Sequence, residues 1–281
     1  MELSVVIAMI AASLLHASWH ALVKTSDDQV VALAGMNLVS GAVAFGVLPL
    51  VASISGIASA VIAGSVVLHF AYKLALARLY VHADLGQAYP LARGITPLFA
   101  CGLAFAVLGE TPPTVAIAGL LLVSAGLLAL GLDPGARPRL QTLVAALLAG
   151  GAVAAYSVVD AYGVRAAGDW AAFTAWLVAA DSSVFVAYAL ATRSEACLRS
   201  WQRHWRRVCA SGLFGVVSFC VFMWALGCAP VGPVTALRET SVMFAALIGI
   251  AMLRERASTH RLAAAACVTG GVVLIAIARP S

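Results

Sequence analysis

The chain has 281 residues, 63% of them hydrophobic and only 10% charged, with a mean hydropathy of +1.00 and a formal net charge of +5. So few charges cannot cover the surface of a water-soluble domain, which leaves a multi-pass membrane protein. The excess positive charge comes from loop arginines, and no basic segment is interleaved with stacking aromatics, so nucleic acid is not an expected partner.

A spanning helix needs about 20 apolar residues. Ten such runs fit, at roughly 3–23, 30–52, 58–80, 84–108, 112–132, 141–163, 169–191, 208–229, 231–253 and 258–278. The first lacks a basic leader and is long enough to span, so no cleaved signal peptide is expected. Chain breakers fall between runs: Pro112 and Pro113, Asp133-Pro134-Gly135, and Pro230 with Gly232. The longest polar stretch, Thr192–Arg207, reads as an amphipathic interfacial piece with Trp201 and Trp205 at headgroup level. Six cysteines show neither CxxC nor metal-ligand spacing, and most behave as small hydrophobes inside the runs.

The fourth run repeats itself in the ninth. Residues 93–131 slide onto 238–276 at an offset of 145 without a gap, with ten identities in 39 positions. Arg93/Arg238, Glu110/Glu255 and Gly126/Gly271 are the informative pairs in a chain so poor in charge. A second echo sets His16-Ala-Ser-Trp-His20-Ala21 against Tyr156-Ser-Val-Val-Asp160-Ala161 at an offset of 140. Ten runs then divide into five plus five, at residues 1–135 and 136–281. An odd number of spans per copy forces the second copy into the membrane from the opposite side. The expected fold is therefore all-α, with ten transmembrane helices as two inverted five-helix repeats and a site between them.

The segments AYPLARGITPLFACGLAFAVLGE and ALRETSVMFAALIGIAMLRE, each followed by a glycine-containing apolar helix, resemble the EamA-like family of the drug/metabolite transporter superfamily. The resemblance implies ten helices in two inverted repeats and export or exchange of small metabolites, often amino acids or related compounds. YPLARG and LRETSV are also similar to a subgroup found alongside phosphonate-degradation functions.

An ionisable residue inside a span costs about 2.5–3.5 kcal/mol on insertion scales, so its default reading is a polar pathway. Arg93 and Arg238 each lie 17 residues from the glutamate closing their helix, about 25 Å at 1.5 Å per residue. They either snorkel to the interface or line a central cavity, where a guanidinium grips carboxylate or phosphonate in a bidentate fork. Glu239 either neutralises a neighbour or meets a substrate ammonium. It does not pair with adjacent Arg238, because consecutive helical positions point apart. His69 and Lys73 share a face beside Tyr72, with snorkelling the rival for Lys73. His16 and His20 share another, near Trp19. An HxxxH pair alone is a poor zinc site, so no metal is expected.

The substrate-binding candidates are thus Arg93, Arg238, Glu239, Tyr89, Lys73, Trp19, His20 and Tyr156. The proton-coupling candidates are His20, Asp160 and Asp181, the last of which either pairs with a buried cation or carries protons. Trp224 joins the aromatics that would wall the cavity, and Glu110 and Glu255 are read as structural caps. The expected function is secondary transport of a small polar metabolite, anionic or zwitterionic such as an amino acid, by alternating access. A phosphonate or related organic-anion permease is the alternative, and a channel or lipid scramblase the rival from another class. Neither HExxH nor a GxSxG elbow is present, so an enzyme is not expected. No cofactor is expected. The partners would be the small-molecule substrate and membrane lipid, with the chain monomeric or homodimeric in a bacterial inner membrane. Loop arginines put both termini outside by the positive-inside rule, whereas the family resemblance implies termini inside.

Overall fold

The computed structural model describes residues 1–54, 56–82, 85–132, 140–245 and 259–278. Glu255 lies outside the described residues. Ten α-helices have both ends within them: α1 (Leu3–Lys24), α2 (Gln29–Val47), α3 (Ile57–His82), α4 (Leu85–Leu108), α5 (Thr114–Gly131), α6 (Leu140–Ala167), α7 (Trp170–Arg203), α8 (Trp205–Cys228), α9 (Val231–Glu239) and α10 (Thr259–Ile277). No strand occurs among the described residues. The first eight are long and apolar enough to cross a membrane.

The ninth expected span departs from its single apolar run. Helix α9 stops after nine residues, and a turn at Thr240 precedes a new helical start at 241–245. The Thr240 hydroxyl donates to the Leu237 carbonyl at 2.6 Å, and Met243 N–H reaches back only to the Thr240 carbonyl at 2.9 Å. These tight local bonds replace the regular ladder in the middle of a hydrophobic sequence. Backbone of this kind is tolerated at membrane depth only inside protein or along a cavity.

Polarity runs outward from wet to greasy. Val67, Leu148 and Phe105 are more than 60% exposed, while His16, His20, Lys73, Arg93, Asp160 and Glu239 are buried. An apolar exterior around a charged interior is the arrangement that lipid solvates. Helix α1 packs on α8 and α9, α2 on α7 and α8, α3 on α6 and α7, α4 on α5, α6 and α9, and α5 on α10. The α5–α10 pair is close enough that a Cβ at Gly119 would stand 2.6 Å from the Gly271 carbonyl, and one at Gly271 would stand 2.5 Å from that of Gly119. Only glycine permits that approach.

Two aspartates start helices. Asp28 accepts from the amides of Val30 and Val31 at the head of α2, and Asp169 from those of Ala171 and Ala172 at the head of α7. The Met1 ammonium donates to the Ala278 carbonyl at 2.6 Å, which sets both ends of the described chain on one face of the bundle. The polar stretch expected at the interface is not a separate piece: it forms the end of α7, which kinks at Arg193, and, past a turn at His204, the start of α8. Its two tryptophans separate. Trp205 is exposed, whereas Trp201 is half-buried, with its indole N–H donated to the Val31 carbonyl, so it secures α7 to α2.

Candidate functional site

An open cavity sits among α1, α2, α3, α6, α7, α8 and α9. Its charged lining is Arg238, Lys73 and Asp181, and its aromatic lining includes Trp19, Tyr72, Tyr156 and Phe222. Arg238 enters from the last turn of α9, at the helix break. Its guanidinium carbon lies 4.2 Å from the ring centroid of Phe222 and 5.6 Å from that of Tyr156. Ring faces attract a cation without accepting a conventional hydrogen bond. Arg238 Nη1 is buried without a hydrogen-bond partner. The break is held by Ser13 of α1, whose hydroxyl lies 2.9 Å from the Leu237 carbonyl and 3.3 Å from that of Arg238.

Lys73 of α3 lines the same cavity and turns inward rather than toward an interface. Its ammonium donates to Asn37 Oδ1 at 2.7 Å and to Asp181 Oδ2. Of the two readings open for Asp181, pairing with a buried cation is therefore what the structure displays. Its second oxygen, Oδ1, is buried with no partner.

Arg93 occupies a separate setting. It is 2% exposed between Pro90 and Pro97 in α4, and does not snorkel. Nη1 donates to Glu239 Oε1 at 3.2 Å, while Nη2 reaches Tyr72 Oη at 3.0 Å and His20 Nε2 at 3.1 Å. The Tyr89 ring lies 5.0 Å from the guanidinium carbon. Glu239 thus neutralises Arg93, although its Oε2 has no partner. A guanidinium only donates, so His20 Nε2 is the acceptor. Trp19 donates its indole N–H to His16 Nδ1 at 3.2 Å, and His16 Nε2 stands 3.1 Å from His20 Nε2. A neutral His16 with its proton on Nε2 accepts from Trp19 and shares the one lone pair of His20 Nε2 with Arg93, so Trp19, His16 and His20 link the cavity wall to the buried ion pair.

Asp160 is held apart from both arginines. It accepts from the Ser65 hydroxyl and lies 3.0 Å from His69 Nε2, whose ring stacks on Tyr156 at 4.1 Å. Glu110 forms a clasp near the α8–α9 joint. One oxygen meets Arg165 at 2.6 Å and the other accepts from the Val231 amide at 2.8 Å, while Arg165 also donates to the carbonyls of Leu226 and Ala229. That is the cap expected of it.

Of the residues singled out in the sequence, Arg238, Lys73, Trp19, Tyr156 and Asp181 line the main cavity. Arg93 and Tyr89 line a smaller one, joined to it through Tyr72. Glu239, His20 and Asp160 stand behind these walls as partners, and Trp224 packs on the core. Asn37, Ser13 and Phe222 were not anticipated. Asn37 carries the one signal available, an uncharged polar side chain in the middle of an apolar run.

Fold and site together define a multi-pass α-helical membrane protein whose charges converge on a central cavity. A solved structure described only as "Crystal structure of protein" superposes with a TM-score of 0.72 over 98% of this chain and 96% of its own, at 20% sequence identity, a likeness of fold. No curated protein matches the chain. Residues 140–277, the second half of the fold, match the EamA-like transporter family of the drug/metabolite transporter superfamily.

Proposed function

We propose that the protein is a secondary transporter that moves a small anionic or zwitterionic metabolite by alternating access between two inverted halves, residues 1–135 and 136–281. The observation that carries the substrate reading is Arg238. Its charge is permanent, its Nη1 is buried and unbonded, and it faces a cavity at a helix break. An unmet donor in a poorly solvated place is costly, and a carboxylate or phosphonate oxygen meets it in a charge-assisted bond.

Several observations support the inverted halves. Exchanging α1–α5 with α6–α10 carries the main helix pairings onto one another: α1·α8 becomes α6·α3, α1·α9 becomes α6·α4, and α2·α7 and α5·α10 map onto themselves. At the offset of 145, Gly119 corresponds to Ala264 and Gly126 to Gly271. The close approach of Gly119 to the Gly271 carbonyl then has its image in that of Gly126 to the Ala264 carbonyl. The capping aspartates Asp28 and Asp169 stand at the heads of corresponding helices. A broken helix at the junction of such halves is the usual setting of a transport site.

The test is uptake into sealed vesicles containing the purified protein, using radiolabelled amino acids, organic phosphonates and hydrophobic cations. Saturable uptake of anions or zwitterions that Arg238→Ala abolishes is expected. Transport of hydrophobic cations alone would overturn the substrate reading. Coupling to protons through His20, Asp160 or Asp181 predicts that an imposed pH gradient drives that uptake. Indifference to the gradient removes this part of the proposal.

A further inference from the structure

The cavity holds two cations and one carboxylate, and the carboxylate is only half used. Lys73 occupies Oδ2 of Asp181, while Oδ1, on the same group, is enclosed without a donor. Asn37 and Ser182 complete the neighbourhood. Asn37 Nδ2 donates to its own helix at the Leu33 carbonyl, and Asn37 Oδ1 takes Lys73 together with a long 3.5 Å contact from the Ser182 hydroxyl. Neither side chain supplies the missing donor. A buried carboxylate normally accepts several hydrogen bonds, so an enclosed oxygen with none is an acceptor of defined chemistry: it suits an N–H or O–H group, and a positive one most of all.

Lys73 is itself an ammonium on a four-carbon tether, with its stem among cavity residues and the Phe185 ring 5.0 Å from its nitrogen. It presents to Asp181 the same headgroup that an amine-bearing substrate would bring. We propose that Asp181 is the ammonium subsite of the cavity, that its Oδ1 is the acceptor left open for the ligand, and that Lys73 is a tethered ammonium competing with the ligand for this carboxylate. Arg238, lining the same cavity, takes the ligand's acidic end. This assignment rests on the reading of the cavity as a substrate site and names the second charge that the substrate carries.

Lys73 then has a stated purpose. With the ligand absent, it keeps Asp181 from standing as a lone buried anion, which is unfavourable in a poorly solvated place. With the ligand present, it weakens the grip on the amine, because two cations share one carboxylate. Exchange between a tethered and a free ammonium lets a transporter bind and release an amine without exposing a bare charge. Specificity follows from the same geometry, since an acid without an amine leaves Oδ1 unmet.

The experiment compares matched ligands that differ only in the amine: leucine with 4-methylpentanoate, and 2-aminoethylphosphonate with ethylphosphonate. Affinities are read by thermal shift and by microcalorimetry for wild type, Lys73→Met, Lys73→Gln and Asp181→Asn. In wild type the amine-bearing member of at least one pair binds more tightly. Removal of the tethered ammonium in Lys73→Met or Lys73→Gln raises that preference by about tenfold, the scale of one relieved charge contact in a partly screened site. Asp181→Asn abolishes the preference but retains binding of the acid through Arg238. Lys73→Gln keeps a donor for Asp181, and so reports on competition if Lys73→Met fails to fold. If acids bind but the amine makes no difference in wild type or in either Lys73 variant, the Asp181 assignment is overturned and the transporter reading stands. If no member of either pair binds wild type, the anion and zwitterion reading falls, and this assignment with it.

Discussion

Arg93 and Arg238 stand 145 residues apart at matching positions of a repeated segment, yet their surroundings differ in kind. Arg93 has a carboxylate, an imidazole, a phenol and a ring face. Arg238 has two ring faces and a nitrogen with nothing to bond. The origin of the difference can be located. The residue after Arg238 is Glu239, and its counterpart after Arg93 is Gly94. One carboxylate therefore stands beside two aligned arginines, and its ion pair is with Arg93. The residue that α3 sets against Arg93 is Tyr72, with a hydroxyl, whereas α8 sets Phe222 against Arg238, without one. The sequence aligns the two arginines, and their partners in the fold set them apart.

The sharpest way to break this comparison is to remove the satisfied arginine. Arg93→Ala leaves Glu239 fully buried without its cation, and truncating one partner of a buried pair costs about 3–5 kcal/mol. Thermal unfolding of the detergent-solubilised protein is expected to show the largest drop of any single cavity substitution. The double variant Arg93→Met with Glu239→Gln, which removes both charges, should recover most of it. A wild-type melting curve for Arg93→Ala would mean that the ion pair is not scaffold.

Removing the other arginine should do the reverse. Arg238→Ala takes away a charge that has no counter-ion among the described residues, so ligand-free stability changes far less. The loss falls on binding instead, where truncating one member of a desolvated charge pair costs about 2–5 kcal/mol. A ligand screen by thermal shift would then show anion-induced stabilisation in wild type and none in this variant. If Arg238→Ala melts as low as Arg93→Ala, both arginines are scaffold and the cavity has another anchor.

Much of this was legible before any coordinates. The first eight spans and the list of buried charges follow from hydropathy and from the rarity of Arg and Glu in apolar runs. The break at Thr240 was not legible, because 231–253 carries no proline or glycine at that point and reads as one continuous span. The turn there is made by Thr240 bonding to its own backbone and by Ser13 arriving from α1, a residue more than two hundred positions away. Pairing was illegible for the same reason. Arg93 meets Glu239, Lys73 meets Asp181 and His69 meets Asp160 across separations of 91 to 146 residues, so each charge could be placed in the membrane while its partner stayed open. Asn37 escaped because it bears no charge, although it holds Lys73 in place.

A smaller substitution sharpens the boundary between the two arginines, because Tyr72 lines both the main cavity and the pocket of Arg93. Tyr72→Phe keeps the ring and deletes the hydroxyl that accepts from Arg93 Nη2 at 3.0 Å. A hydrogen bond to a charged group contributes about 1.5–3 kcal/mol, and Nη2 keeps His20, so the loss belongs at the lower end of that range. Stability should therefore fall less than in Arg93→Ala, while the anion-induced shift persists, since Arg238 and its aromatic walls are untouched. The opposite pattern, unchanged stability with the ligand shift lost, would place the hydroxyl on the substrate. Tyr72 would then belong to the site, and the scaffold would begin one layer deeper, at His20 and Glu239.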